Sequence, residues 1–116
     1  MFGKWFFDPR KQSANGGCLV SNSIMNKEGQ LKWCVRHKPL NRQDTGWEFY
    51  SDIDTPDIED DPSKFSIQSF RAVCEIEPLI MEIFNMPVGT DICLIKDEGD
   101  AWFVDSTTYE TIDTTK

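Results

Sequence analysis

The sequence has little of what a catalytic site needs. It contains one histidine, His37, and it has no Cys-x-x-Cys pair and no glycine-rich phosphate loop. Cys34 precedes His37 by three positions on a predicted strand, so the two side chains should point to opposite faces. A small hydrolase that uses Cys18 or Cys34 with His37 is therefore the least favoured functional class.

Long apolar runs are also missing. The longest are four residues or fewer, as in Leu79-Ile80-Met81, whereas a helix that spans a bilayer needs about 20 apolar residues. The first residues lack the apolar stretch and cleavage site of a secretory signal. We therefore predict a cytoplasmic protein with no membrane partner, in which four cysteines remain reduced and buried, namely Cys18, Cys34, Cys74 and Cys93.

Basic side chains are scarce in the second half of the chain. Residues 1–50 carry 8 basic and 4 acidic side chains, whereas residues 51–116 carry 4 and 16, which gives a net charge of −8. An acidic surface repels phosphate, so we predict no nucleic-acid partner and favour a basic protein partner. Composition alone favours the plainer alternative that the acidic surface keeps the protein soluble.

Length and composition indicate a single folded domain. The chain has 116 residues, of which 39% are hydrophobic and 12% aromatic, too many for a disordered protein and enough for one core. We divide it into an aromatic arm at 1–16, a main domain at 17–105 and a polar tail at 106–116. The arm contains Trp5, Phe6 and Phe7, and in the tail Tyr109 and Ile112 are possible anchors.

The first half of the domain has the pattern of three strands. A strand from Cys18 to Met25 and a turn at 26–29 predict a hairpin with the next strand, Leu31 to Lys38. Simple alternation in that second strand places one set of side chains in the core, Leu31, Trp33, Val35 and His37, and the other on the surface, Lys32, Cys34, Arg36 and Lys38. The third strand runs from Trp47 to Ile53, with Trp47 in the core.

The second half predicts an irregular loop, two helices and two strands. Ser66 is expected to cap the first helix and Pro78 to begin the second, and strands follow at 91–96 and 101–105. The predicted fold class is α+β, an antiparallel sheet of about five strands with two short helices packed on one face. The strand order stays open, with the last hairpin beside the first or third strand.

The candidate partner-binding residues lie mainly in one acidic loop: Asp52, Asp54, Asp57, Glu59, Asp60 and Asp61. A calcium loop of the EF-hand type is disfavoured because Pro56 stands where such a loop must bend and no glycine is present. We predict no metal and no cofactor, and an acidic loop that faces solvent or a partner. Tyr50 and Trp102 are candidate aromatic anchors, although a structural role is the alternative for each.

Several strings in order resemble a known family. They are Gly17-Cys18-Leu19-Val20-Ser21-Asn22, Asp44-x-Gly46-Trp47-x-Phe49-Tyr50-Ser51-Asp52, Asp60-Asp61-Pro62-x-x-Phe65-Ser66-Ile67, Ile76-x-Pro78 and Pro87-Val88-Gly89-Thr90. Together they resemble the immunity-protein 33 family of bacterial polymorphic toxin systems, over residues 17 to 105. The resemblance implies a small, non-enzymatic, cytoplasmic protein that binds a toxin domain, and it supplies no catalytic residues.

The charge pattern and the resemblance together predict an immunity protein that neutralises a cognate toxin through an acidic surface. A basic nuclease-type domain is one candidate toxin, because a cleft that holds phosphate attracts carboxylates. The alternative is an acidic interaction or regulatory module unrelated to toxin immunity. For oligomeric state we expect a monomer or a weak homodimer formed through an exposed sheet edge.

Overall fold

A computed structural model describes residues 14–114. The aromatic cluster of the predicted arm at 1–16 lies outside the described residues. The strands are β1 Gly17–Ser21, β2 Leu31–Arg36, β3 Asp44–Ser51, β4 Phe65–Ser69, β5 Asp91–Asp97 and β6 Asp100–Asp105. The α-helices are α1 Asn22–Met25 and α2 Phe70–Ile76, and 3₁₀ helices occur at Pro56–Asp60, Pro62–Lys64 and Pro78–Ile83.

The strands form one mixed sheet of six strands in the order β4-β1-β3-β2-β5-β6. This confirms the α+β class, but β1 and β3 run parallel while the other neighbours are antiparallel. The predicted hairpin of the first two strands is wrong, because β1 ends at Ser21 and the chain turns away through α1. The last hairpin lies beside β2, not beside the first or third strand.

The hydrophobic core lies between one face of the sheet and the helical segments. We call this side of the sheet the core face. The rings of Trp47, Phe49 and Phe70 pack there with centroid distances of 5.9 to 6.5 Å, and Phe84 closes on Phe70 at 4.6 Å. Aromatic pairs of this kind contribute about 0.5–1.5 kcal/mol beyond the area that they bury. The core position predicted for Trp47 is confirmed.

A bulge in β2 reverses the predicted faces of that strand. Leu31 pairs with Ser51 of β3, but Trp33 pairs with Tyr50, so two residue steps on β2 match one on β3. Because side chains alternate along a strand, the extra residue moves Trp33 to the face opposite Leu31. Cys34 and Arg36, predicted at the surface, are therefore buried, and Trp33 is only half-buried.

The first predicted helix begins later than expected. Residues Phe65–Ser69 form β4, which pairs along its length with β1, so Ser66 lies in a strand and caps no helix. The cap is Ser69, whose hydroxyl accepts from the N–H of Ala72 at 3.0 Å. The second predicted helix does begin at Pro78, but it is a 3₁₀ helix with Ile80 and Ile83 buried.

A buried arginine joins the sheet to the segment after this 3₁₀ helix. Arg36 is 1% exposed, and its Nε donates to the Thr45 carbonyl at 2.9 Å. Its Nη1 donates to the carbonyls of Phe84 and Met86 at 2.9 and 2.8 Å. The guanidinium also lies 5.5 Å from the Trp47 ring centroid. Arg36 thus supplies hydrogen-bond donors to carbonyls at the end of the helical segment, where water would otherwise be the donor.

The described part of the tail packs against β6. The N–H of Ile112 donates to the Phe103 carbonyl at 2.8 Å, and Thr111 forms a bridge with Val104. Ile112 packs on the core as expected, whereas Tyr109 is 66% exposed. None of the helices in residues 14–114 has both the length and the apolar character needed to cross a membrane.

We predict that Gly46→Ala destabilises the fold by about 3 kcal/mol. Gly46 has a φ of +84°, and a Cβ there would lie 2.1 Å from the carbonyl oxygen of His37. Gly99 is the matched control, because it has a φ of +89° with nothing within 4 Å of the added Cβ. Gly99→Ala should cost about 1 kcal/mol in urea unfolding. Equal losses at both positions would contradict the argument from close approach.

We also expect Arg36→Met to lower the free energy of unfolding by about 3 kcal/mol, since it leaves buried carbonyl oxygens without their donor. Lys38→Met is the control, because Lys38 is exposed and should change stability by no more than about 0.5 kcal/mol. Urea unfolding followed by tryptophan fluorescence measures both. An unchanged unfolding midpoint for Arg36→Met would show that the hydrogen bonds of Arg36 are dispensable for stability.

Candidate partner-binding surface

The second face of the sheet carries a continuous group of partly exposed side chains. We call it the open face, because α1, α2 and the 3₁₀ helix Pro78–Ile83 place their buried residues in the core on the other side. Cross-strand pairing places its members in rows: Leu19 opposite Ile67 and Glu48, Val35 opposite Glu48 and Asp91, and Trp33 opposite Tyr50.

A groove of 210 Å³ crosses this face beside the acidic loop, and we call it the acidic groove. Trp33, Val35 and Tyr50 provide its apolar surface. Its carboxylates come from two places in the chain, Asp54 and Glu59 in the loop and Asp91 at the start of β5. The remaining lining residues are Thr55 and Pro56, and none of the described lining residues is basic.

The structure thus brings together some of the predicted binding residues and separates others. Tyr50, Asp54 and Glu59 meet in the acidic groove. Trp102 lies on β6, the last strand in the sheet order, opposite Ile95 and outside the groove.

Five members of the groove were not predicted as binding residues: Trp33, Val35, Thr55, Pro56 and Asp91. Simple alternation assigned Trp33 and Val35 to the core, and only the bulge in β2 brings them to the open face. Asp91 reaches the groove through the pairing of β5 with β2. Because that pairing joins segments distant in sequence, local patterns carry no signal for it.

Tyr50 is held in a negative environment. Its hydroxyl donates to Glu48 Oε1 at 3.0 Å, and its ring meets Phe65 edge-on with centroids 5.4 Å apart. Burial, followed by the negative charges of Glu48, Glu59 and Asp54, raises the pKa of the Tyr50 phenol. The phenol therefore stays neutral at physiological pH and offers a flat ring to the groove.

Four of the six acidic residues in the loop are used by the fold itself. Asp52 accepts from Gln30 N at 2.9 Å, and Asp54 accepts from Ser51 N at 2.7 Å and from the Ser23 hydroxyl at 2.9 Å. Asp57 accepts from the Thr55 hydroxyl, and Asp61 from Ser63 N at 3.0 Å. The segment is therefore more regular than predicted, with 3₁₀ helices at Pro56–Asp60 and Pro62–Lys64.

Asp61 caps the 3₁₀ helix Pro62–Lys64, and the stability that this cap contributes depends on pH. The hydroxyl and N–H of Ser63 hold the pKa of the Asp61 carboxyl below its ordinary value of 3.8. A lowered folded-state pKa stabilises the fold above that ordinary value, and the contribution is lost as the pH falls through the lowered one. The cap is therefore fully present at neutral pH.

Glu59 and Asp60 are the two acidic residues of the loop that the fold does not use. Both side chains are exposed, and within residues 14–114 neither side chain takes part in a hydrogen bond or ion pair. Glu59 lines the acidic groove, and Asp60 is next to it in the chain. These two carboxylates are available to a partner without loss of internal contacts.

A larger, mostly apolar cleft of 440 Å³ lies further along the open face. Its lining includes Leu19, Leu40 and Ile67, of which Leu40 is 90% and Ile67 79% exposed. Glu48 also lines this cleft and pairs with His37 at 3.4 Å. Since Glu48 accepts from Tyr50, it connects the cleft to the acidic groove.

The thiols and the imidazole do not form a nucleophilic pair. Burial raises the pKa of Cys18 to about 12, and burial raises the pKa of Cys34 well above its ordinary value. Both thiols are therefore protonated at neutral pH, whereas a nucleophilic cysteine needs a lowered pKa. Cys18 contacts the Thr45 hydroxyl at 3.5 Å, and His37 is paired with Glu48.

No group of three or more His, Cys, Asp or Glu residues converges to hold a metal ion anywhere in residues 14–114. The acidic loop in particular directs four of its carboxylates to hydrogen-bond donors of the protein. The loop thus has the hydrogen bonding of a capped turn.

Comparison with protein-family models shows to which family the chain belongs. The family model described as the immunity protein Imm33 domain matches residues 18–105. The chain belongs to the Imm33 family. This match spans most of β1 and all of β2 to β6, so the Imm33 domain includes the acidic groove. No curated protein and no solved structure matches the chain. Membership implies a toxin partner in general.

We predict that Asp54→Ala destabilises the Imm33 domain by about 2 kcal/mol, since the Ser51 N–H and Ser23 hydroxyl lose their acceptor. Asp60→Ala removes an exposed carboxylate from the same loop and should change stability by no more than about 0.5 kcal/mol. Urea unfolding curves of the two variants make the comparison. A larger loss for Asp60→Ala would overturn the division of the loop into structural and available acids.

Proposed function

We propose that this Imm33 protein neutralises a cognate toxin by stoichiometric binding through its open face, and that it catalyses no reaction. The acidic groove is the observation that carries this proposal. It joins a half-buried aromatic surface, Trp33 and Tyr50, to the carboxylates of Glu59 and Asp91. Aromatic anchors surrounded by polar groups are typical of binding hot spots.

Apolar exposure supports the same face. Leu19, Ile67 and Leu40 surround the larger cleft next to the groove, and Ile67 and Leu40 are almost fully exposed. Contiguous apolar surface on a small domain marks an interaction site. A partner that covers both concavities would bury this surface and still contact the acidic loop.

Charge indicates the kind of toxin. The chain has a net charge of −8, and the acidic loop places Glu59 and Asp60 at the surface beside the groove. A nuclease-type toxin must hold phosphate in a basic cleft, and carboxylates can occupy that cleft in place of phosphate. Opposite charge also accelerates association, to about 10⁸–10⁹ M⁻¹s⁻¹ at low salt, which suits interception of a toxin before it acts.

The protein is proposed to act in the cytoplasm, as a monomer or a weak homodimer. β4 is an outer strand of the sheet, five residues long. A strand this short limits edge-to-edge pairing of two copies. We expect one immunity protein to bind one toxin domain.

Co-expression tests the function directly. The toxin domain encoded next to this gene is produced with and without the immunity protein, and growth, complex recovery and stoichiometry are measured. Rescue of growth with a 1:1 complex supports the proposal. If the protein restores growth against no neighbouring toxin and no complex is recovered, the alternative of an interaction module unrelated to immunity is favoured.

We predict that Glu59→Gln with Asp60→Asn slows association with the toxin by about three- to tenfold at low salt and reduces the dependence of the rate on salt. The control, Glu75→Gln with Glu98→Gln, removes the same number of exposed charges at α2 and at the turn after β5. Stopped-flow or surface-binding kinetics at several salt concentrations give both quantities. Equal slowing by both variants would mean that net charge, not this loop, steers association.

A further inference from the structure

We propose that the acidic groove receives an arginine side chain of the toxin, with the guanidinium against Trp33 and between the carboxylates of Glu59 and Asp91. The inference rests on the proposed function and names the chemistry of its central contact. It follows from the shape and lining of the groove, taken with the charges around it.

The floor of the groove suits a flat group on an apolar stem. Trp33 and Tyr50 are direct cross-strand partners, and Val35 follows on the same face of β2. Directly opposed side chains on a sheet lie about 4.5–5.5 Å apart at Cβ, and both rings line the groove. Val35 extends this surface toward Asp91, its partner on β5, where the aliphatic part of a long side chain can pack.

The lining of the groove supplies negative charge from two parts of the chain. Glu59 and Asp54 belong to the loop after β3, and Asp91 stands at the start of β5. Asp54 is held in place by Ser51 N and Ser23, while the Glu59 and Asp91 side chains are exposed. Because no described lining residue is basic, a cation from a partner would meet carboxylates without an internal competitor in the groove.

Trp33 already interacts with a cation. The Lys32 ammonium lies 5.1 Å from the centroid of the Trp33 ring, within the range of a cation–π contact. Lys32 does not line the groove, so a cation from a partner would compete with it only for the Trp33 ring. The ring is thus accessible to positive charge.

Arginine fits this groove better than lysine. A guanidinium is planar, stacks on aromatic rings and binds carboxylates with two parallel hydrogen bonds. An ammonium is a strongly hydrated point charge and gains less from an aromatic floor. A groove lined by two rings and by carboxylates from two parts of the chain therefore favours the planar cation.

The test uses the full chain and a probe that does not depend on the toxin. N-acetyl-arginine methylamide is titrated while the indole N–H signals of Trp33 and the other tryptophans are followed by NMR, with the Trp33 signal assigned from Trp33→Phe. We expect saturable movement of the Trp33 signal at millimolar probe. The citrulline counterpart has the same shape without charge and should bind at least about tenfold more weakly. The lysine counterpart should bind less well than arginine.

Variants locate the binding. The double variant Glu59→Gln with Asp91→Asn should lower the affinity for the arginine probe about fivefold to tenfold. The control, Glu75→Gln with Glu98→Gln, should keep this affinity within about twofold of that of the unchanged protein. Lys32→Met should strengthen binding about twofold, because it removes a like charge and a competitor for the Trp33 ring. A folding defect would not produce this gain. Equal binding of arginine and citrulline probes, or no effect of the groove variant, would overturn the proposal.

The result is separable from the test of function. If the toxin complex forms but the arginine probe leaves the Trp33 signal unchanged, the arginine assignment fails and the immunity function stands. If the probe binds as expected and no neighbouring toxin forms a complex, the proposed function fails while the cation preference of the groove is established.

Discussion

The fold depends most on the buried guanidinium of Arg36. It donates to the carbonyls of Thr45, Phe84 and Met86, so one side chain joins the centre of the sheet to the end of the helical segment. Trp47 adds a donor to the same Phe84 carbonyl at 3.2 Å. A charge this deeply buried is tolerated only when its hydrogen bonds are satisfied, and that requirement fixes where the helical segment can lie on the core face.

With α1, α2 and the 3₁₀ helix Pro78–Ile83 packed on the core face, the open face of the sheet is available for binding. The acidic loop serves two purposes. Asp54 and Asp61 are hydrogen-bonded within the fold and hold the loop in shape, while Glu59 and Asp60 remain exposed. A preorganised loop presents charge to a partner at a lower entropic cost than a flexible one. The loop therefore combines structural acids with acids that a partner can use.

The elements that were predicted well have strong local signals. Asp97-Glu98-Gly99-Asp100 marks the turn between β5 and β6, where Glu98 and Gly99 have positive φ, and Pro78 marks the start of the second helical segment. Segment 65–69 was misassigned because its serines suit a helix cap as well as a strand. Its pairing with β1, more than 40 residues away in sequence, decided the outcome, and local propensity does not report such pairing.

The sequence alone determined the α+β class, the acidic loop and the resemblance that the Imm33 match confirms, because composition, turn residues and short strings are local properties. Tertiary structure alone decided which side of β2 faces the core. One bulge moved Trp33 out and Arg36 in, because strand register depends on the partner strand. The acidic groove exists only through that register, which joins Trp33 to Tyr50 and Val35 to Asp91.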